Sequence, residues 1–200
     1  MSGYIHPNNL VLIICGPAGS GKTTLCDRLL EEFPESIQRQ VTTTSREPRP
    51  GEVDGVDYHF LDPSVFENMI QEGAFIEWAK VHGRYYGSQR KHIEAILGDQ
   101  KDILLNIDVQ GAKAFREEQS RNAALAGKVR CIFIRPESMQ QLRDRLLARG
   151  ADDEAEIERR LESARVELEA IDEFDHVITS GSREEDYMAL REYYLSLKSN

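Results

Sequence analysis

The sequence predicts an α/β fold in which helices cover both faces of a parallel sheet. The run Leu10 to Cys15 is apolar and mostly β-branched, as in a strand that is packed on both faces. Ile103 to Asp108 is predicted as a second buried strand and Val129 to Ile134 as a third. Helical patterns separate these runs, and strands that alternate with helices favour a parallel sheet. A polar stretch from Thr42 to Phe60 with two prolines and two glycines interrupts the alternation, which indicates an inserted lobe.

The first two helices have clear start and stop signals. From Lys22 to Phe33 the apolar side chains recur at helical spacing, and Pro34 ends the pattern because proline cannot continue a helix. A second helix begins where Asp62 precedes Pro63, which is typical of an N-cap followed by a first helical residue, and it ends at Gly73. These two helices flank the polar stretch.

A hairpin, five further helices and a last strand complete the predicted elements. Phe75 to Val81 predicts a strand, His82-Gly83 a turn and Arg84 to Tyr86 the returning strand. Ser88 is placed to cap the next helix, which closes at Gly98. The elements after it are a helix from about Gly111, a helix from Glu137 to Arg149, a charged helix over 153–170, a strand from His176 to Thr179 and a helix from Glu184 to Leu197.

Composition and charge exclude several classes of protein. The 200 residues carry a net charge of −10, with a pI of about 5.1, which argues against binding nucleic acid by bulk electrostatics. The apolar run Leu10 to Cys15 is too short to span a bilayer, and no basic region precedes it as in a signal peptide. Three cysteines at irregular spacing argue against a disulfide framework or a zinc site. We therefore expect a cytoplasmic protein without a nucleic-acid, membrane or obligate protein partner.

A complete phosphate-loop motif follows the first predicted strand and opens the first helix. Its glycines let the backbone N–H groups point at phosphates, and the helix N-terminus adds positive potential. Lys22 is expected to reach the β- and γ-phosphates of ATP, and the Thr23 hydroxyl to bind the Mg²⁺ that bridges them. The predicted ATP-binding residues are Gly16, Pro17, Ala18, Gly19, Ser20, Gly21, Lys22, Thr23 and Thr24.

The phosphate loop predicts nucleoside triphosphate binding but not the reaction. A switch GTPase needs an Asn/Thr-Lys-x-Asp motif for guanine, and none of the seven lysines lies in one. Asp108-Val109-Gln110-Gly111 resembles the Asp-x-x-Gly of a GTPase, but this short match is weak by itself. The chain length and the inserted polar lobe favour a small kinase.

The inserted lobe contains a candidate clamp for a phosphate group. Arg46 and Arg49 lie three residues apart on a segment stiffened by prolines, and paired guanidiniums bind a phosphate dianion in a bidentate way. The hydroxyls of Tyr58 and Tyr86 are further donors. The alternative is a solvated basic loop, which we consider less favourable in a chain of net charge −10.

The order and identity of several motifs resemble the guanylate kinase family from about Leu10 to the last helix. The largest, Thr44 to Phe60, is Thr-Ser-Arg-x-Pro-Arg-Pro-Gly-Glu-x-x-Gly-x-x-Tyr-x-Phe. The others are Phe75-Ile76-Glu77-Trp78-Ala79, Tyr85-Tyr86-Gly87-Ser88, Ile107-Asp108-Val109-Gln110-Gly111 and Arg145-x-x-x-Arg149-Gly150.

The resemblance implies an acceptor site for GMP. Arg46, Arg49, Tyr58 and Tyr86 would hold the phosphate of GMP, and four other residues would bind its guanine. A carboxylate such as Glu77 accepts from the N1–H and N2 amino groups of guanine, and the Thr42 hydroxyl donates to O6. Adenine presents the opposite pattern of donors and acceptors on this edge and would leave buried polar groups unpaired. Such a mismatch can reject an analogue by about 10⁴-fold. The implied guanine-binding residues are Thr42, Glu77, Ser88 and Asp108.

Three arginines match the lid arginines of the family. Arg145 and Arg149 lie four residues apart and so share one helix face, and Arg160 follows on the next helix. The resemblance implies that they close over ATP and stabilise the transferring phosphoryl group. Salt bridges on the helix surface, with Asp152, Glu156 or Glu158, are the alternative. Lys22, Arg46 and these three arginines are the predicted catalytic residues, and no general base is required because the acceptor is already a phosphate oxyanion.

Together these features imply a three-layer P-loop kinase fold with a parallel central sheet, an inserted GMP-binding lobe and a helical lid. The implied enzyme is an ATP:GMP phosphotransferase that yields ADP and GDP in purine nucleotide metabolism, with Mg²⁺ as its cofactor. We expect one domain over 1–200, with a core over about 8–40, 89–136 and 166–200, a GMP-binding lobe over about 41–88 and a lid over about 140–163.

The sequence departs from the family at two places. Asn106 stands where relatives usually carry a carboxylate that helps to hold the hydrated Mg²⁺, and the resulting hypothesis is weaker Mg²⁺ binding without loss of activity. Ser180-Gly181 replaces a common Asn-Asp near the adenine pocket.

Two alternative functions remain open from the sequence. One is a kinase for another phosphorylated small acceptor on the same scaffold, against which the complete guanine-binding set argues. The other is a guanylate-kinase-like module that binds a phosphorylated ligand without catalysis, against which the intact Lys22 and Thr23 argue.

Overall fold

The computed structural model describes residues 9–81, 83–150 and 153–199, and at Arg149 it describes the backbone alone. The strands in these ranges are β1 (Val11–Cys15), β2 (Ile37–Arg39), β3 (Thr43–Thr44), β4 (His59–Phe60), β5 (Phe75–Val81), β6 (Arg84–Gln89), β7 (Asp102–Asn106), β8 (Val129–Pro136) and β9 (His176–Ser180). The helices are α1 (Lys22–Glu32), α2 (Pro63–Gln71), α3 (Arg90–Gly98), α4 (Val109–Gln119), α5 (Met139–Arg149), α6 (Glu154–Glu169) and α7 (Arg183–Lys198).

A five-stranded parallel sheet forms the centre of the molecule. Its strand order is β2-β7-β1-β8-β9, and every neighbouring pair is parallel. All five residues of β1 are buried, as expected for a continuous apolar strand with helices on both sides. The predicted α/β class with a parallel central sheet is therefore confirmed.

Alternate residues of the central strands pack into two separate cores. Leu12 and Ile14 of β1 lie on the face covered by α1 and α7. Val11 and Ile13 lie on the opposite face, where the buried side chains of α3 and α4 pack. This alternation follows from the two-residue period of a strand and gives three layers.

A second sheet forms within residues 43–89. Its order is β4-β3-β6-β5, and β6 is antiparallel to both of its neighbours. Within this sheet Thr43 is paired with Gly87 and Thr44 with Tyr86. The pairing brings the motif that begins at Thr44 beside the motif that ends at Ser88.

Helices α5 and α6 pack on each other around a small core of their own. Its buried members are Leu142, Leu146, Ile157, Leu161 and Ala164. Both helices have side-chain N-caps, from Ser138 and Asp153 respectively. The boundaries predicted for a core, a lobe and a lid remain a prediction, although the two sheets and this helix pair follow the same order along the chain.

Two local expectations need correction. Ser88 does not cap α3, because β6 continues to Gln89 and the Ser88 hydroxyl donates to Glu77 instead. The short strand β2 was not expected, because only Ile37 of its three residues is apolar.

Two predictions fall on residues that the structure does not describe. His82 belongs to the predicted turn of the hairpin, and residues 1–8 belong to the region in which no signal peptide is predicted. Within the described ranges, no helix is long and apolar enough to cross a membrane.

Candidate active site

The phosphate loop leaves the carboxyl end of β1 and wraps the N-terminus of α1. Gly16 has a φ of +133°, and a Cβ at this position would lie 2.4 Å from the carbonyl oxygen of Ile134 in β8. Gly21 occupies the N-cap of α1 with a left-handed backbone. Both positions therefore need glycine, one for close approach to the neighbouring strand and the other for backbone conformation.

Two polar side chains of the loop indicate a site for a polar ligand. The Lys22 ammonium donates to the carbonyl oxygens of Gly16 and Pro17 at 2.5 and 2.9 Å, which holds it against the loop. The Ser20 hydroxyl is buried and has no hydrogen-bond partner in the described part of the chain. Lys22 therefore lies beside the place where the loop N–H groups would receive phosphates.

Thr23 and Asn106 meet at one side of this loop. The Asn106 amide donates to the Thr23 hydroxyl oxygen at 3.3 Å. Both residues line a cavity of about 250 Å³ with Ala18, Gly19, Gly21, Lys22 and Thr24. Hydroxyl and amide oxygens are ligands that suit Mg²⁺ or its bound waters.

Arg46 is held by a bidentate salt bridge to Glu52. Its two terminal nitrogens each donate to one carboxylate oxygen at 2.9 Å, and one of these oxygens also accepts the Arg49 backbone N–H at 2.7 Å. Hydrogen bonds to Glu52, and secondarily to Tyr86, raise the pKa of Arg46. The Arg46 guanidinium also lies 5.3 Å from the centre of the Tyr58 ring.

The structure therefore brings together the residues predicted to hold the acceptor phosphate. Arg46, Tyr58 and Tyr86 are neighbours, while the Arg49 side chain is exposed at the edge of the group. A guanidinium has five N–H donors, and Glu52 occupies two of those on Arg46, with a third directed to the Glu47 carbonyl. The remaining donors are left for a further anion or for Tyr86.

Three of the four predicted guanine-binding residues lie close together. The Ser88 hydroxyl donates to Glu77 at 2.6 Å, and Glu77 and Asp108 line one cavity of about 260 Å³. Burial raises the pKa of Glu77 to about 7, and the nearby charge of Asp108 adds to this effect. One Asp108 oxygen caps α4 by accepting the Gly111 N–H at 2.8 Å.

Thr42 lines a different cavity, which joins the two halves of the site. Beside it are Tyr58 from the inserted segment and Thr23 and Asn106 from the phosphate-loop side, around a volume of about 200 Å³. The register of β3 and β6, continued by one residue, places Thr42 opposite Ser88. Thr42 thus lies between Ser88, which is bonded to the Glu77 carboxylate, and the phosphate loop.

The arginines of α5 and α6 make intramolecular contacts in this conformation. Arg145 donates to the Ser180 hydroxyl at 2.9 Å and to the Gly181 carbonyl at 3.2 Å. Arg160 donates to Glu156 at 2.9 Å. This contact is one of the surface salt bridges that the sequence offered as the alternative to a catalytic role. The Arg149 side chain and Asp152 lie outside the described residues.

These two arginines line different cavities. Arg145 lines one of about 320 Å³ beside the phosphate loop. Arg160 lines one of about 410 Å³ with Ala18 and Val81. The structure does not bring Arg145 and Arg160 to a common point.

Two residues that hold predicted site arginines, one directly and one through a serine, were missed from the sequence. Glu52 lies within the quoted motif, but its bond to Arg46 depends on how the loop folds back. Asp186 is buried and accepts the Ser180 hydroxyl at 2.7 Å. It lies among other charged residues at the start of a helix, so nothing in the sequence indicated that it would be buried.

The three cysteines are buried, and burial raises the pKa of each thiol.

Comparison with known proteins identifies the family of the chain. A family model described as guanylate kinase matches residues 8–196. The chain is 44% identical over 188 residues to a guanylate kinase of Nitratidesulfovibrio vulgaris, covering 94% of this chain and 87% of that one. It is 43% identical over 171 residues to a guanylate kinase of Idiomarina loihiensis, covering 85% and 78%.

A solved structure gives the same result. The crystal structure of guanylate kinase from Anaplasma phagocytophilum matches with a TM-score of 0.71 and 31% identity, covering 94% of this chain and 85% of that one. Because the family model and these relatives each match most of its length, the chain belongs to the guanylate kinase family.

Proposed function

We propose that this member of the guanylate kinase family transfers the γ-phosphoryl group of ATP to GMP, giving ADP and GDP, with the residues described above. The chain is a nucleoside-monophosphate kinase, an ATP:GMP phosphotransferase. The observation that carries the assignment of residues is the 200 Å³ cavity, since Thr23 and Asn106 line it from the phosphate-loop side and Thr42 and Tyr58 from the acceptor side.

The donor side binds the phosphates of ATP. The N–H groups of the loop and the N-terminus of α1 attract the phosphate oxygens, and residues Gly16 to Thr24 surround them. Lys22 exchanges its carbonyl partners, Gly16 and Pro17, for the β- and γ-phosphates. A phosphate oxyanion is the stronger partner for an ammonium because the hydrogen bond is charge-assisted on both sides.

The residues beside the loop fit Mg²⁺. Thr23 and Asn106 both offer oxygen atoms to one cavity, and this hard cation prefers oxygen ligands and keeps several waters. Thr23 would bind the ion directly, and Asn106 would orient one of its waters. When bound, Mg²⁺ neutralises part of the charge on the phosphates.

The acceptor side binds GMP by its base and its phosphate. Ionised Glu77 accepts from guanine N1–H and the N2 amino group, the Thr42 hydroxyl donates to O6, and Ser88 and Asp108 complete the polar edge. Arg46 and Arg49, with the hydroxyls of Tyr58 and Tyr86, bind the phosphate. An adenine base has an acceptor at N1 and no amino group at C2, so it would not offer Glu77 the two donors that guanine offers.

Transfer then depends on position and charge. A phosphate oxygen of GMP attacks the γ-phosphorus of ATP in line while the bond to the β-phosphate oxygen breaks, so no proton has to be removed from the acceptor. Closure of α5 and α6 brings Arg145, Arg149 and Arg160 towards the transferring group and excludes water. Arg160 exchanges its present partner, Glu156, in this step.

The assignment is tested by a coupled assay with ATP, Mg²⁺ and each of GMP, AMP, CMP and UMP. We expect rapid turnover with GMP and little with the other three. Lys22→Met should lower kcat by about 10²-fold or more, because it removes a charge that stabilises the transferring group. Lys113→Met, at an exposed position of α4, is the matched control and should leave the rate unchanged.

Two results would contradict the proposal. Absence of turnover with every acceptor would favour a non-catalytic phospho-ligand module. Preference for AMP would contradict the roles given to Glu77 and Thr42.

A further inference from the structure

A buried carboxylate is linked to Arg145 through one serine. The Ser180 hydroxyl donates to Asp186 at 2.7 Å, and the same oxygen accepts from Arg145 at 2.9 Å. A second path runs through the backbone of Gly181, whose N–H donates to Asp186 at 2.7 Å and whose carbonyl accepts from Arg145 at 3.2 Å. Asp186 therefore contacts both groups that hold Arg145.

The direction of these hydrogen bonds is set by Asp186. A serine hydroxyl has one hydrogen and two lone pairs, and an ionised carboxylate can only accept. When the Ser180 hydrogen is directed to Asp186, its lone pairs are left for the Arg145 guanidinium. The negative charge of Asp186 also strengthens the polarity of this hydroxyl in a buried setting.

Helix capping does not explain why Asp186 is buried. The start of α7 is already capped by a reciprocal pair, in which Ser182 accepts the Glu185 N–H and Glu185 accepts the Ser182 N–H. Asp186 is 6% exposed, and burial of a carboxylate is costly unless it is hydrogen-bonded and charge-compensated. The Asp186 carboxylate accepts from the Ser180 hydroxyl and from the Gly181 backbone N–H. Both of these residues also accept from the Arg145 guanidinium, which supplies the compensating positive charge.

The linked group lies beside the phosphate loop. Arg145 and Asp186 line the same 320 Å³ cavity as Gly19, Ser20 and Gly21. Arg145 is thus held at the wall of the donor side, near the place where ATP phosphates bind in the proposed function.

We propose that Asp186, acting through Ser180, is a positioning residue for Arg145. It presets the guanidinium on the donor side, so that lid closure needs only a short movement to reach the transferring phosphoryl group. The proposal rests on the role given above to Arg145 in the transfer of phosphate from ATP to GMP.

The test compares Asp186→Asn, a change of similar size that removes the charge, in two backgrounds. In the wild-type background we expect kcat to fall about tenfold, which corresponds to about 1.4 kcal/mol, with KM for GMP unchanged. In the Arg145→Ala background the same change should cost less than twofold, because residues that act as a unit are not additive. Ser180→Ala should behave like Asp186→Asn and remains usable if the latter does not fold.

Asp144→Asn is the matched control. Asp144 precedes Arg145 on α5, is exposed and pairs with Gln140, so its loss should leave kcat unchanged. An equal fall in kcat with and without Arg145 would overturn the proposal, as would an unchanged kcat in Ser180→Ala. Wild-type protein without any transfer from ATP to GMP would instead overturn the proposed function itself.

Discussion

At the scale of single residues, the ionisation of Glu77 should make the affinity for GMP depend on pH. Burial raises its pKa to about 7, and only the ionised carboxylate accepts the two N–H groups of guanine. In the proposed function GMP binding would therefore release a proton, and we expect affinity to fall as pH drops through this pKa. At pH 6 roughly one tenth of the carboxyls are ionised, so we expect KM for GMP to be about tenfold higher than at pH 8.

Initial rates from pH 6 to 8 measure this effect. The phosphate of GMP itself titrates near pH 6, and Glu77→Gln isolates that contribution because glutamine does not titrate. A KM that follows pH equally in wild type and Glu77→Gln would contradict the assigned role.

Glu52 binds the Arg46 side chain and the Arg49 backbone together, and so organises the phosphate clamp that we propose. We expect Glu52→Gln to raise KM for GMP roughly tenfold, because misplacement of a binding group is costly for a bidentate contact. Glu47→Gln, in the same loop and exposed, is the control. Tighter GMP binding in Glu52→Gln would show instead that Glu52 competes with the phosphate for Arg46.

Asn106 brings no charge to the metal side of the site, although it contacts Thr23. Asn106→Asp should therefore lower the Mg²⁺ concentration that gives half-maximal rate, since a carboxylate attracts the hydrated ion more strongly than an amide. The measurement is a titration of Mg²⁺ against rate at fixed ATP and GMP. Superimposable curves for the two proteins would refute weaker metal binding at Asn106.

At the scale of elements, one buried carboxylate ties the last helix to the central sheet. Asp102, at the start of β7, accepts the Leu10 N–H and the Tyr194 hydroxyl, both at 2.7 Å, and the Lys198 ammonium at 3.1 Å. These contacts join α7 to two neighbouring strands far away in sequence. They add to the apolar contacts of Tyr187 and Leu190 that pack this charged helix on the sheet.

Tyr194→Phe removes one of these bonds with little change of shape. We expect the free energy of unfolding to fall by about 1.5–3 kcal/mol, the range for a hydrogen bond to a charged group. Urea denaturation with an unchanged m value would measure it. Tyr193→Phe, whose ring stacks on His176, is the control, and equal stability of the two variants would contradict the argument.

Some elements could be predicted from local sequence patterns, and others depend on contacts with distant strands. Strands β1, β7 and β8 were predictable because each contains a short run of apolar residues, which is typical of a strand buried on both faces. The three residues of β2 become a strand through pairing with β7, which no local pattern reveals. Ser88 was expected at a helix cap because its residue type suits one, but the competing hydrogen bond to Glu77 comes from another strand.

The same distinction holds for the site. The phosphate loop is contiguous, so its motif, glycines and lysine could be found directly. The contacts of Glu52 and Asp186 depend on folding a loop back and on bringing a helix to the end of β9. Such contacts appear only when the chain is arranged in space.

For the whole molecule, the proposed function requires that the acceptor segment and the α5–α6 pair move towards the phosphate loop. In this structure Arg160 is bonded to Glu156 and lines a different cavity from Arg145, so in the proposed function the described conformation precedes closure. We expect the radius of gyration from small-angle scattering to decrease when ADP and GMP are both bound, and less with either alone. An unchanged radius with both nucleotides would contradict closure.

The central claim is that the inserted segment binds guanine and that the phosphate loop supplies the phosphoryl group. The most direct measurement is the ratio of kcat/KM for GMP to that for AMP, in wild type and in Glu77→Gln. We predict a ratio of about 10⁴ or more for wild type and a much smaller one for the variant. A wild-type ratio near one, or a ratio that Glu77→Gln leaves unchanged, would contradict this account.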